Sequence, residues 1–384
     1  MASASVPGFV GPSNPLRAPN ADVERTINLY LEPTAPGTSK VAGLLQATPG
    51  LVPMAQVMDS PGFTIFEQDG QCFGVIGSSF FELNPDWSTT VWGTVTTPTP
   101  TLPATIVSNG TAGGQLLICA GGDGFVYTLA TNAFTILNDT TFPGTGFPYG
   151  QALMVEFMDG YGIVVQVDSR TFFISALEDF TSWDPLDVAQ RSEGSDNLVG
   201  LIRNHRELWF PGTKTGEVWY DSGNALFPFA PVPGVFLDTG AASCSMCRIE
   251  SGETNTIAWL SQDERGQGII KIADGYSGQP ISTIAVTRAL QASTNLAAAK
   301  LFCQQQESHV YLWVLVPDLE TTWVYDFLTG KWHERALWDP TACTFRPHLA
   351  TASATFQNLS LVTSSANGSI YALSLTAYQD VIVT

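Results

Sequence analysis

The sequence predicts an all-β chain, a β-propeller of about seven four-stranded blades, and three observations carry that prediction. A short apolar strand, a Gly/Asn/Asp turn, another strand and another turn recur as one unit seven times along the 384 residues. Short strands with regular turn signals, repeated at a supersecondary period, indicate radial or solenoid repetition, and four strands make one propeller blade. The second strand of most units is a near-continuous apolar run, as in LLICA, GIVVQV and HVYLWVLV. Such strands are buried on both faces, as inner strands are when blades stack face to face. Finally, 35 Gly and 24 Pro against 13% charged residues fit turn-rich β-structure. The chain is also too long for one ordinary compact core unless repeats extend it.

The first 55 residues differ from the rest. Pro12, Pro15, Pro19, Pro33, Pro36, Pro49 and Pro53 punctuate them, and Thr26–Glu32 (TINLYLE) is the one good strand. Proline at this density excludes a central sheet and predicts an extended arm. A propeller closes its ring by lending a terminal strand to the blade from the other end, and Thr26–Glu32 is the candidate. The division is therefore an arm over 1–55 and a propeller over 56–384.

The units follow as Gly62–Trp92, Ala104–Leu137, Tyr149–Asp184, Leu198–Pro231, Ala241–Thr287, Lys300–Leu337 and His348–Leu375. Six blades result instead if Gly62–Trp92 and the arm share one. Asp69-Gly70, Asp123-Gly124, Asp159-Gly160 and Asn367-Gly368 suit tight hairpins that need positive φ. Only Arg288–Phe302 has helical composition.

No run of 18 apolar residues exists, so no membrane span is expected, and the start lacks the basic and apolar regions of a signal peptide. Assembly in a cytoplasm is the expectation. The formal charge of −19 comes from 35 acidic and 16 basic side chains. Nucleic-acid affinity needs clustered Lys and Arg, and no such cluster is present.

The search for chemistry returns nothing. Cys244 and Cys247 form a CxxC, but in a strand positions i and i+3 point to opposite faces, and no second pair completes a tetrahedral site. His205, His309, His333 and His348 are scattered; His205 and His333 stand among charged residues (RNHRE, KWHER), which reads as a solvated or turn-capping role. Trp313, Trp323, Trp332 and Trp338 gather in or beside one unit and read as blade filling before interface. Glycosidases need paired carboxylates in one pocket, and sialidases add an arginine cluster; Arg170, Arg191, Arg203 and Arg206 fall in one stretch instead. No metalloprotease, nucleophile-elbow, phosphate-loop or dinucleotide motif appears. No catalytic, cofactor-binding or metal-ligating residue is assigned, and no cofactor is expected.

Three stretches carry a resemblance. VERTINLYLEP followed by LLQATPGL, then FFISALEDFTSWDPLDVAQRSEGSDNLVGLIRNHRELWFPGTKTGEVWYDSG, then TTWVYDFLTGKWHER, resemble the packaged-DNA stabilisation proteins of short-tailed bacteriophages, the tail hub or nozzle family. The resemblance runs from about Phe9 to Leu375. Its motif positions here are Asn28, Leu29, Tyr30, Pro49, Gly50, Trp183, Trp219, Gly330 and Trp332, with structural or assembly roles. It implies a non-enzymatic virion protein of the tail that forms a ring, sixfold in the family, joins portal and adaptor proteins to the distal tail, and helps retain packaged DNA. Implied partners are further copies of the chain, portal and adaptor proteins, tail fibre, tailspike or needle proteins, and DNA that passes without specific binding. The alternatives are a receptor- or carbohydrate-binding propeller and, third, a glycosidase.

Overall fold

Tight turns set the register of the sheets. Asp69 and Gly70 adopt φ of 53° and 81°, and Asp159 and Gly160 adopt 49° and 91°. Two central residues at positive φ make the turn whose twist matches that of paired strands. Asp123-Gly124 does not turn. Gly121 and Gly122 take positive φ in its place, while Asp123 is buried inside the strand Asp123–Thr128, its carboxylate held by the Thr96 hydroxyl. At Asn367-Gly368 only the glycine has positive φ.

The computed structural model describes residues 11–15, 24–34, 43–137, 141–144, 151–250, 255–264, 266–377 and 379–382. The arm's first ten residues and Tyr149 lie outside these. Hairpins in chain order build seven antiparallel blades around one axis. Blade 1 runs from Gly62 to Thr94, blade 2 from Ala104 to Leu137 and blade 3 from Ala152 to Gln190. Blade 4 follows from Ile202 to Pro231, blade 5 from Gly240 to Pro280, and blade 6 from Lys300 to Pro347 with a fifth strand. The first strand of every blade is innermost, and together these strands enclose an axial channel of about 380 Å³. The end of a blade differs most from expectation in blade 6, which runs to Pro347 rather than Leu337, and in blade 3 the last strand, Asp179–Gln190, shifts register twice along its length. A helix, Ile284–Gln291, and a 3₁₀ turn, Leu296–Ala298, link blades 5 and 6. The helix starts ahead of the expected Arg288 because Thr283 caps it, accepting from the Val286 N–H.

Ring closure corrects the expectation. Blade 7 consists of Ala350–Phe356, Leu359–Ser364 and Ser369–Ser374, completed by Gly50–Gln56 as its outer strand. Gly50 pairs with Ser374 and Gln56 with Ser369. Thr26–Glu32 does not close the ring: Leu29–Pro33 pairs with Gly43–Ala47 in a separate two-stranded ribbon. The propeller therefore begins at Gly50 rather than residue 56. Pro53 is tolerated in the closing strand because an outermost strand needs ladder bonds on one side only.

Each seam between neighbouring blades holds one apolar cluster, seven in all among the described residues. Period-2 alternation explains this arrangement: Leu116 and Ile118 face the blade 1 seam while Leu117 and Cys119 face the blade 3 seam. Trp313, Trp323 and Trp332 are buried as expected, and Trp338 is exposed.

Candidate functional site

The arm returns to blade 6 and binds its outer hairpin, Thr322–Asp326 and Lys331–Asp339. Backbone pairing comes first. The Ser13 N–H donates to the Trp332 carbonyl at 2.9 Å, the Glu334 N–H to Thr26 at 2.8 Å and the Asn28 N–H to Glu334 at 2.8 Å. Asn28 then imitates a strand residue with its side chain. Its amide donates to the Ala336 carbonyl at 2.8 Å and accepts from the Ala336 N–H at 2.9 Å. Its φ of 56° lets the chain turn there, a conformation that Asn tolerates better than most residues.

Glu334 anchors this strap. Its carboxylate is buried and accepts from Arg25 Nε at 3.1 Å and Nη2 at 2.5 Å, from Thr321 Oγ1 at 2.7 Å, and from the Ser13 hydroxyl. A forked guanidinium contact of this kind is among the strongest hydrogen-bonded pairs. Arg288, on the linking helix, donates to the Pro15 carbonyl at 2.7 Å and ties the same segment from another side.

Next along the arm, Tyr30 packs edge-on against His309 at 5.2 Å and Tyr311 at 6.0 Å. His309 bridges two carboxylates: Nε2 lies 3.0 Å from Glu32 of the arm and Nδ1 lies 3.0 Å from Asp326 of the blade. Burial works against its charge, but the hydrogen bonds and charges of Asp326 and Glu32 win and raise its pKa above 6.5. Deeper in the same seam, Tyr311 stacks on His309, and the Arg335 guanidinium lies 4.3 Å from the Trp313 ring centre and 5.1 Å from that of Tyr311. Arg335 is fully buried, and among the described residues neither Nη atom has a hydrogen-bond partner. Burial pulls its pKa down to about 10. His333 and His348 flank the cluster, and burial followed by the Arg335 charge lowers both, His348 to about 3. The two rings are therefore neutral at pH 7.

His333 is thus not a solvated turn residue. It sits in a strand with its ring buried. His309, His333 and His348, scattered in sequence, converge on one seam.

The family-motif positions divide into three groups. Asn28, Leu29, Tyr30 and Trp332 meet at the strap; Leu29 opens the ribbon opposite Ala47, and Trp332 Nε1 donates to the Ile281 carbonyl at 2.8 Å. Gly330 turns the same blade-6 hairpin with φ of 65°. Pro49 and Gly50 lead into the closing strand, where a Cβ on Gly50 would stand 2.6 Å from the Ala377 carbonyl oxygen. Trp183 and Trp219 lie apart, in the seams on either side of blade 3. Trp183 donates to the Phe180 carbonyl at 2.7 Å, and Trp219 to the buried Glu217 at 3.0 Å. Sequence reasoning missed Glu334, Asp326 and Arg335. The one available signal was the unusual density of charge in KWHER, inside an otherwise apolar unit.

Among the described residues no group of His, Cys, Asp and Glu is arranged to hold a metal ion, and Cys244 and Cys247 diverge. Cys247 lies in the seam between blades 5 and 6, and the Cys244 thiol reaches the Pro100 carbonyl at 3.5 Å. No helix among the described residues is long and apolar enough to cross a membrane.

The family model described as bacteriophage P22 Gp10, β-propeller, matches residues 20–378, which take in the strap from Arg25 onward and every blade. The chain belongs to this family. The phage-stabilisation propellers are a family of phage DNA-stabilisation proteins, and a β-propeller from arm to last blade is what this member shows. Comparison with curated proteins finds no match. Among solved structures, the N-terminal domain of Nup159 aligns with a TM-score of 0.50 at 9% identity, over 91% of this chain and 98% of that one. The extracellular domain of BT4673 from B. thetaiotaomicron aligns with a TM-score of 0.53 at 10% identity, over 85% of this chain and 40% of that one. At such identities the likeness concerns the propeller fold alone.

Proposed function

We propose that the chain is a structural protein of the phage tail, a hub or nozzle that joins the portal and adaptor to the distal tail and helps retain packaged DNA. The observation that carries this reading is the family match over residues 20–378, which includes residues 25–32 of the strap as well as the blades. In this reading the protein is not an enzyme, it is assembled in the host cytoplasm, and it resides in the virion. It forms a ring with further copies of itself, sixfold as in the family, and meets portal, adaptor and fibre, tailspike or needle proteins. Ring subunits meet through unlike faces, and a rigid disc with one strapped side offers two different ones.

The excess of 35 acidic over 16 basic side chains supports passage of DNA without adhesion, since repulsion acts within about 8 Å at physiological salt. The test is deletion of the gene, followed by electron microscopy of the particles. Heads that fill and then lose their DNA support the reading; heads that keep their DNA and carry complete tails overturn it. Purified protein should also show no affinity for duplex DNA at low salt, where a basic patch binds most strongly.

A further inference from the structure

Two thiols face each other across the seam between blades 5 and 6, where the innermost strands are laced together by serines. Ser243 Oγ donates to the Ala299 carbonyl at 2.8 Å. Two residues on, Ser245 Oγ accepts from the Leu301 N–H at 2.8 Å and lies 3.3 Å from the Leu301 carbonyl. Each rung joins positions 56 apart. The next rung of that register is Cys247 opposite Cys303.

Side-chain direction agrees with register. Cys247 belongs to the apolar cluster of this seam together with Leu301, and Cys303 packs against the same cluster. Phe302, the residue between Leu301 and Cys303, points the other way into the blade 7 seam. A serine hydroxyl sits one side-chain length from its own Cα, so rungs of this kind bring the two backbones into the range that a disulfide spans, about 4.4–6.8 Å between Cα atoms. Both cysteines also line the axial channel.

We propose that Cys247 and Cys303 form a redox site, a dithiol that closes to a disulfide and staples blade 5 to blade 6 at the channel wall. Cys303 attacks first. The Cys247 thiol beside it holds its pKa below the usual thiol value, whereas Cys247 is itself pushed up, by its hydrogen bond to Cys303 and then by burial. With a peroxide as oxidant, the Cys303 thiolate attacks one oxygen and the O–O bond breaks. Hydroxide leaves and takes up the thiol's proton, and Cys303 becomes a sulfenic acid. The sulfur of Cys247 then attacks the Cys303 sulfur, the S–S bond forms, and the hydroxyl departs with the Cys247 proton as a second water. Two thiols lose two electrons and two protons, and with hydrogen peroxide the products are the disulfide and two waters. The chemistry suits a chain that is made in a reducing compartment and later exposed to an oxidising one. Cys244 takes no part, because its thiol is turned to Pro100.

The test uses the full chain with Cys343→Ser, which removes the exposed thiol and with it cross-linking between molecules. Folded protein is treated with hydrogen peroxide, free thiols are alkylated in denaturant, and the intact mass and cross-linked peptides are measured. The expected result is loss of two hydrogens per chain, two fewer alkylated cysteines, and a linked peptide pair containing residues 247 and 303. Cys247→Ser and Cys303→Ser should each abolish the bridge, and Cys244→Ser should leave it intact. Oxidised protein should unfold at higher urea than reduced protein, and a reductant should reverse the shift. Full alkylation of both cysteines after oxidation of the folded chain, or a bridge that survives Cys247→Ser, would overturn the proposal.

Discussion

The seam between blades 1 and 2 and the seam between blades 6 and 7 solve the same packing problem with different chemistry. The first is filled by Phe73, Phe80, Phe125 and Tyr127, with Phe134 and Trp92 closing its outer side. Its rings stack or tilt at centroid distances near 5.5 Å, such as 5.5 Å for Phe80 and Phe134 and 5.3 Å for Phe80 and Tyr127. The second holds Tyr30 of the arm, Tyr311, Trp313 and Tyr371, but wraps them around the buried Arg335 and neutral His348. Apolar burial supplies most of the driving force in both, about 1.5–3 kcal/mol for each fully buried large side chain. It is non-directional, however, and does not say where an arm should lie. Direction comes from the other face of the same hairpin: Glu334, on the blade 5 side with its cross-strand neighbour Trp323, has four donors placed around it, and an arm shifted by one residue would lose the three that Ser13 and Arg25 supply.

The largest expected effects set the aromatic seam against the strap. Phe80→Ala should cost roughly 3–5 kcal/mol through a cavity that aromatic neighbours cannot refill. Glu334→Ala should cost about 1.5–3 kcal/mol, because it leaves the partly exposed Arg25 guanidinium and two hydroxyls without their acceptor. The two losses should differ in kind. Phe80→Ala should lower the urea midpoint while the arm stays bound. Glu334→Ala should release the arm to limited proteolysis before the blades unfold. An arm that stays protected in Glu334→Ala would show that Tyr30 and the backbone pairing hold the strap without the carboxylate.

The contrast also explains what could be read from the chain alone. Seven repeats, inner strands and seam aromatics were legible because alternation and apolar runs are local patterns. The closing strand was misread because Thr26–Glu32 has the better strand composition. Gly50–Gln56 carries Pro53, and its fitness as an outer strand depends on the free edge of Ser369–Ser374 more than three hundred residues away. Glu334 and Arg335 were invisible for a similar reason. A charged pair of neighbours in sequence reads as surface, and only the arm and the stacked rings of Tyr311 and Trp313 make burial tolerable. Asn28 was singled out by the family motif, but its role as a side-chain strand rung could not be read from sequence.

Acid should separate the seams next. His348 is held at about 3 in the folded chain against 6.5 for the free residue. Its contribution is therefore fully present above pH 6.5 and is lost as pH falls toward 3, by roughly 1.4 kcal/mol per pH unit. His333 is depressed and acts in the same direction. His309 is raised and has the opposite sign: its contribution is complete below pH 6.5 and fades as pH rises through its folded value. Two against one, acidification should loosen the blade 6–blade 7 seam, while the core cluster between blades 1 and 2 contains no histidine. Hydrogen exchange between pH 7 and pH 4 should show protection falling around Tyr311 and Trp313 and holding around Phe73 and Phe80, once intrinsic rates are corrected. Arg335→Met should blunt that acid response, because the guanidinium is one of the causes that lower both rings. Equal loss in both seams would break the comparison.

The smallest effect isolates the strap's register. Asn28 combines a positive φ with two side-chain bonds to Ala336. Asn28→Gly keeps the backbone conformation and loses the bonds, which should cost about 1–2 kcal/mol for two exchanged hydrogen bonds. Asn28→Ala loses the same bonds and keeps a β-carbon in the left-handed region without the local hydrogen bonds that let Asn tolerate it, which adds roughly 1 kcal/mol relative to Gly. Asn28→Asp keeps an acceptor for the Ala336 N–H but turns the amide donor into a second oxygen facing the Ala336 carbonyl, so it should fall on the Ala side despite its shape. The order Asn, Gly, then Ala and Asp, measured as arm protection against protease, would assign the residue's value to both the bonds and the turn. Gly and Ala variants of equal stability would mean that the backbone relaxes at this position, and that the paired amide alone sets the register.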